Sequence, residues 1–219
     1  ANAAMSAGAE IHAREVVTGW DPDQGGVRVF TDRSEYTAER LVITAGAWTS
    51  GMIPILEDLA VPERQVLAWL QPLDGSLYTP AVFPVFNAYF DEGRYYGFPV
   101  FGIPGFKVGR YHHLEEVIDP DSEIKTVTCE DEAVLRSAVE RYFPKANGTT
   151  MTLKTCMFTN TPDEHFIVDL LPGNTQVAVA AGFSGHGFKF ASVIGEILAD
   201  LAITGETEHN IDLLKIDRF

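Results

Sequence analysis

Apolar residues at Phe190, Val193, Ile194, Ile197, Leu198 and Leu201 keep the i, i+3, i+4 spacing of one helical face, which predicts a helix there. Residues 176–180 before it form an apolar strand, and the run Gly182-Phe183-Ser184-Gly185-His186-Gly187-Phe188-Lys189 joins the two. A second helix is predicted over residues 130–142. Near the start, residues 1–7 read as the end of an alanine-rich helix and residues 10–17 as a strand. Residues 20–26 form a hairpin-like passage leading to a strand at 27–30. The apolar strand 40–44 ends in the small-residue turn Ala45-Gly46-Ala47-Trp48. From about residue 62 to 157 the texture changes to aromatic-rich strands punctuated by proline and glycine, with candidates at 65–70, 82–86, 95–98, 106–111 and 152–159. A short strand at 166–168 precedes the C-terminal strand, loop and helix.

This order predicts α/β pieces bracketing an antiparallel middle with one packed helix, an α/β plus α+β fold. No internal repeat or low-complexity segment interrupts it. With 219 residues, 46% of them hydrophobic, the chain can bury one large or two modest cores. The 31 acidic residues outnumber the 16 basic ones, so the net charge of -15 repels polyphosphate and makes nucleic acid an unsuitable partner. No apolar run reaches the roughly 20 residues of a membrane helix. No signal-peptide pattern opens the chain either, and a cytoplasmic location away from membranes is expected. Two cysteines, Cys129 and Cys156, supply neither a disulfide framework nor a metal site.

The glycine-dense run at 182–187 is the first candidate for chemistry. Glycines let a bound group approach the backbone, and a helix start favours negative charge. Lys189 is a cation in the first turn, where the dipole disfavours one, and function accounts for it better than helix stability does. Its spacing is GxxGxG, so the dinucleotide fingerprint GxGxxG is absent from the chain. Lys107 stands among apolar and aromatic residues, either dehydrated and useful or extended to water. Tyr96 reads as a core aromatic with its hydroxyl at the rim. On strict alternation Lys107, Gly109, Tyr111 and His113 share one strand face, with His112 on the other, unless a bulge intervenes. By residue type alone Cys156 is a small buried hydrophobe, and Asp163-Glu164-His165 is either an acid/base cluster or, preferably, a turn before a strand.

Five motifs then occur in one order: Tyr96-Gly97-Phe98-Pro99, Gly105-Phe106-Lys107-Val108-Gly109, Cys156-Met157-Phe158-Thr159, Asp163-Glu164-His165-Phe166-Ile167 and Gly182-Phe183-Ser184-Gly185-His186-Gly187-Phe188-Lys189-Phe190. Together they closely resemble the C-terminal part of the monomeric sarcosine oxidase and N-methyltryptophan oxidase family of flavoenzymes. The resemblance implies a truncated, Rossmann-like FAD-binding domain with an antiparallel substrate domain. Residues 1–61 and 161–219 would belong to the FAD-binding domain and residues 62–160 to the substrate domain. It further implies that Cys156 attaches covalently to FAD, that Lys107 promotes oxygen reduction, that Lys189 helps hold the substrate carboxylate and that Tyr96 lines the substrate pocket. Gly185, His186, Gly187, Phe188 and Lys189 would run along the flavin edge, and Val17, Ala45, Gly46 and Trp48 would touch FAD.

Three departures from the family pattern are visible. Phe158 stands where the family often has tyrosine. The family histidine that follows the lysine has Tyr111 in its expected place, with His112 and His113 next, and His112 is carried as its catalytic candidate. The N-terminal half with GxGxxG is absent from these residues, and a helical start at Ala1 fits a cut through the nucleotide domain. The implied function is oxidation of a secondary amine by oxygen to imine and hydrogen peroxide, with FAD expected to be absent from this chain alone. The alternative is a non-catalytic fragment or partner-binding module without FAD, self-associating through its exposed sheet.

Overall fold

The computed structural model describes residues 1–122 and 126–219. In chain order its elements are α1 (Asn2–Ser6), β1 (Val17–Asp23), β2 (Gly26–Thr31), β3 (Glu35–Ala38), β4 (Leu41–Ile43) and α2 (Thr49–Met52). Then follow β5 (Val61–Leu70), β6 (Phe86–Phe90), β7 (Gly93–Phe98), β8 (Phe106–Arg110) and α3 (Cys129–Tyr142). The chain ends with β9 (Thr150–Asn160), β10 (Ile167–Leu171), β11 (Asn174–Ala181) and α4 (Ala191–Thr204). No described helix is long and apolar enough to cross a membrane.

The described residues form two compact units. One comprises Ala1–Thr44, Ile167–Ala180 and Phe188–Phe219. It contains the antiparallel sheet β1-β2-β3 and a second sheet ordered β10-β11-β4, in which β11 runs parallel to β4. Val177, Ala178 and Val179 are completely or almost completely buried there, and α4 turns Ile194, Ile197, Leu198 and Leu201 inward at helical spacing. Gly205, at φ +83°, ends α4 in the left-handed conformation that glycine adopts without strain.

The expected strand at 10–17 is not a strand; β1 begins at Val17. Side chains hold residues 10–16 in place of a ladder. Glu15 accepts from the hydroxyls of Thr31 and Tyr36 at 2.7 and 2.8 Å, and Val16 N donates to Asp32 Oδ1 at 2.9 Å. The hairpin expected at 20–26 is tighter than its composition suggests. Residues up to Asp23 are strand, and only Gln24 and Gly25 turn, both at positive φ as a two-residue hairpin requires.

The other unit comprises Ala45–Phe166 and Ala181–Gly187. Its centre is a five-stranded antiparallel sheet ordered β6-β7-β8-β5-β9, with α3 packed on one face. Val66, Ala68, Leu70, Tyr95, Phe106 and Val108 meet Leu135, Ala138 and Val139 of α3. Each such large apolar side chain contributes roughly 1.5–3 kcal/mol by leaving water. The strand expected at 82–86 lies one turn later, at Phe86–Phe90. Val82 N and Phe83 N instead donate to Thr79 O at 2.9 and 2.8 Å, and Pro84 has no N–H to give a ladder.

The polar start of α3 explains its position. Thr128 and Asp131 form a capping box, with Thr128 N donating to Asp131 Oδ2 at 2.7 Å and Asp131 N to Thr128 Oγ1 at 3.2 Å. Asp131 also takes both Nη1 and Nη2 of Arg64 on β5, at 2.7 and 2.9 Å, and lies 3.0 Å from His113 Nε2. Arg64 is 2% exposed, and Asp131 and His113 not at all. Removing one partner would strand the other charge in the interior. Asp131→Ala is therefore expected to lower unfolding free energy in urea by about 3–5 kcal/mol. Glu130→Ala on the exposed side of the same turn should change it by less than about 0.5 kcal/mol; equal effects would refute the assignment.

Candidate functional site

Directly paired residues of antiparallel neighbours share a sheet face, so the register sorts the candidates. Lys107 lies opposite Trp69 on one side and Phe98 on the other; Gly109 lies opposite Leu67 and Tyr96. Cys156 pairs with Gln65, and Phe158 with Glu63. Because the alternate residues Val66, Ala68, Phe106 and Val108 point to α3, Tyr96, Lys107, Cys156 and Phe158 all stand on the opposite face.

That face is mainly aromatic. The Lys107 ammonium sits 5.2 Å from the Trp69 ring centre and 5.0 Å from that of Phe98, a cation–π arrangement. Tyr96 crosses Gly109, where a Cβ would collide with its ring. Burial pushes the Tyr96 hydroxyl well above its ordinary pKa, and the nearby Cys156 and Tyr111 add to the shift. Burial also raises the half-buried Cys156 thiol, while the positive charge of Lys107 pulls the other way.

The glycine loop is tied to the end of β9. Ser184 N donates to Thr159 O at 2.9 Å, and Thr161 N to Ser184 Oγ at 3.3 Å. Gly185, at φ +76°, has its Cβ position filled by the Phe158 ring, so a side chain there meets both strain and collision. Among the described residues the N–H groups of Gly185 and Gly187 donate to no protein acceptor. His186 Nε2 lies 3.3 Å from Glu164 O, and its ring packs 4.9 Å from Phe166. A flat aromatic ligand that gains negative charge would suit a face with rings, one thiol, one cation and two such N–H groups.

Alternation fails after β8. The strand ends at Arg110, and His112 takes φ +51°, which re-aims both histidines. His113 enters the core toward Asp131 instead of sharing the Lys107 face. Tyr111 packs edge-on to Tyr96 at 5.2 Å and lies 5.9 Å from Phe158. His112 is held between two carboxylates, Nδ1 3.2 Å from Glu63 and Nε2 3.0 Å from Glu164. Such a clamp uses both ring nitrogens as donors. Burial opposes the charge, but the hydrogen bonds to Glu164 and Glu63 outweigh it and raise the His112 pKa.

The remaining candidates are placed as follows. Ala45 accepts from Trp48 N at 3.1 Å around the 3₁₀ turn Gly46–Trp48, which packs on β9, and Trp48 Nε1 donates to Asp121 at 2.7 Å. Val17, Phe188 and Lys189 belong to the unit that carries α4. Val17 opens β1, Phe188 is 96% exposed, and the Lys189 ammonium lies 4.9 Å from the Phe190 ring centre.

A model of the FAD-dependent oxidoreductase family matches residues 1–201. The chain belongs to this family. It is 43% identical over 220 residues to a monomeric sarcosine oxidase of Bacillus sp. (strain NS-129), covering 96% of this chain and 56% of that protein. It is 35% identical to N-methyl-L-tryptophan oxidase of Citrobacter koseri, covering 93% and 54%. The chain thus spans about half the length of the curated relatives it matches. Among solved structures, the open form of NikD, an unusual amino acid oxidase, superposes with a TM-score of 0.76 at 25% identity, covering 98% of this chain and 57% of that one. L-proline dehydrogenase from P. horikoshii reaches a TM-score of 0.80 at 21% identity over 99% and 56%, a likeness of fold. The mixed α/β class with antiparallel sheets expected from the sequence is the fold these family members share.

Glu63, one side of the His112 clamp, is not singled out by sequence. The polar run Glu63-Arg64-Gln65 inside an otherwise apolar strand was the available signal, since buried polar residues need partners. The Asp163-Glu164-His165 segment is the turn expected, and its middle residue also closes the His112 clamp.

Two outcomes follow from this geometry. With its folded pKa raised, His112 contributes stability that is complete below about pH 6.5 and lost as pH rises through the raised value. Melting temperatures of His112→Gln should therefore lie below those of the parent near about pH 6 and converge with them toward about pH 9; a gap that widens with pH contradicts the clamp. In a Cys129→Ser background, Lys107→Met should slow alkylation of Cys156, because the thiol loses the cation that opposes its burial.

Proposed function

We propose that this chain supplies the substrate- and oxygen-facing sheet of an FAD-dependent oxidase of small secondary amines of the sarcosine or N-methyl amino acid kind. The observation that carries this reading is the gathering of Tyr96, Lys107 and Cys156 on the one sheet face that α3 leaves open, in a member of the FAD-dependent oxidoreductase family. Similarity to sarcosine and N-methyl-L-tryptophan oxidases supports the amine class.

When bound, FAD would accept a hydride equivalent from the C–H beside the amine nitrogen, the N–H proton going to solvent, and the two electrons would pass with two protons to oxygen, yielding imine and hydrogen peroxide. Cys156 Sγ would hold the flavin covalently. Gly185 and Gly187 N–H, with His186 between them, would meet the ring edge where negative charge grows. Lys107 would place its positive charge where oxygen is reduced, its stem packed between Trp69 and Phe98. Tyr96, kept neutral by burial, would wall the pocket. In the α4 unit, Lys189 would bind the substrate carboxylate, and Phe188 and Val17 would touch FAD, as would Ala45, Gly46 and Trp48. The 219 residues alone are expected to hold little or no FAD and to show no turnover.

In the full-length gene product, anaerobic sarcosine or an N-methyl amino acid should bleach the visible flavin band. An unbleached spectrum with every small secondary amino acid would sink the substrate class. Lys107→Met should slow reoxidation by about 100-fold or more while flavin reduction changes by less than about threefold. Cys156→Ser should release the flavin on acid precipitation.

A further inference from the structure

We propose that Glu164 is a positioning residue of this site, a hub whose carboxylate fixes the Tyr111–Tyr96 wall through Arg94 and whose backbone carbonyl tethers the Gly185–Gly187 loop through His186. The inference rests on the amine-oxidase reading for what the wall and loop would contact. Its geometry stands without that reading.

Three groups from three elements converge on Glu164. Arg94 Nη1 of β7 lies 3.0 Å from Oε2, and His112 Nε2, after β8, lies 3.0 Å from Oε1. His186 Nε2 of the glycine loop reaches its backbone carbonyl at 3.3 Å. Each partner leads back to the site. The Arg94 guanidinium stacks 4.1 Å from the Tyr111 ring centre, with Nε held by Asn87 Oδ1 at 3.1 Å. Tyr111 in turn packs on Tyr96, and Phe158 fills the space over Gly185. His186 lies between the two glycines whose N–H groups face no protein acceptor.

Glu164 adds little stability to the His112 clamp, whose buried half is Glu63 at 10% exposure. Glu164 is 41% exposed and His112 36%, and ion pairs at that exposure stabilise little. Moreover, both ends of the Glu164–His112 contact sit in left-handed backbone, at φ +59° and +51°. Side chains rarely adopt that region, and strain of this kind collects where geometry matters. The charges facing Glu164 are His112, Arg94 and His186, with Asp163 and His165 beside it in the turn and Glu63 beyond His112. The hydrogen bond from His112 holds its carboxyl below the usual range against partial burial, and the charges of His112, Arg94 and His186 reinforce that.

The test uses the full-length flavoprotein with Glu164→Gln and Glu164→Asn, the second suited to left-handed backbone. NMR titration of the His112 ring should show its midpoint falling toward about 6.5 in Glu164→Gln. Anaerobic flavin reduction by the amine should slow by about tenfold or more in both variants, with reoxidation by oxygen within about twofold of the parent, because Lys107 is not tied to the hub. An unmoved His112 midpoint, reduction within about twofold of the parent, or equal slowing of both half-reactions would each overturn the proposal. If the parent flavin is reduced by no amine, the substrate reading fails instead, and the His112 titration and the visible flavin spectrum still judge the hub.

Discussion

The buried contact between Arg64 and Asp131 is the constraint on which the five-stranded sheet depends. It joins the middle of β5 to the first turn of α3, and so decides which face of the sheet the helix covers. Asp131 meets three demands at once: it closes the capping box with Thr128, neutralises Arg64 and receives His113. Desolvation works against its charge, yet these hydrogen bonds keep the carboxyl ionised far below its ordinary range. An interior ion pair of this kind contributes little net stability compared with apolar packing, but its geometry tolerates few alternatives. With α3 docked on Val66, Ala68, Phe106 and Val108, the alternate side chains are left to face the other way.

Function builds on what that docking leaves open. Neighbouring strands bring Lys107, Trp69 and Phe98 into line, and Cys156 beside Gln65, with no loop needed to aim them. Two glycines complete the surface by having no side chain: Gly109 admits Tyr96, and Gly185 admits Phe158. Rigid strands carry the Cys156 thiol and the Lys107 ammonium. Around one end of this face, Glu63, His112, Glu164 and Arg94 form a row of charges, each paired with the next, whose members come from four separate parts of the chain.

Much of this was legible in the residues because period and punctuation are local. Helices α3 and α4 follow from apolar spacing, and strands β5, β7, β8 and β9 from aromatic and β-branched runs. Where polar side chains organise the backbone, the pattern misled. Residues 10–16 look like a strand but are held by Thr31, Asp32 and Tyr36, partners 16 or more positions away. At residues 82–86 the proline after Phe83 outweighed hydrophobicity and delayed the strand. Alternation puts Tyr111 on the Lys107 face, where it packs on Tyr96, but it could not order His112 and His113, since one positive φ angle redirects both.

The sequence by itself determined the family and the mixed fold class, because ordered motifs and apolar periodicity are properties of neighbouring residues. The tertiary structure alone decided which face those groups share, that His113 is a core residue while His112 bridges Glu63 and Glu164, and that Glu164 is more than part of a turn. Register, burial and ion pairing join residues tens of positions apart. Nothing in the spacing along the chain encodes that Arg94, His112 and Glu164 meet.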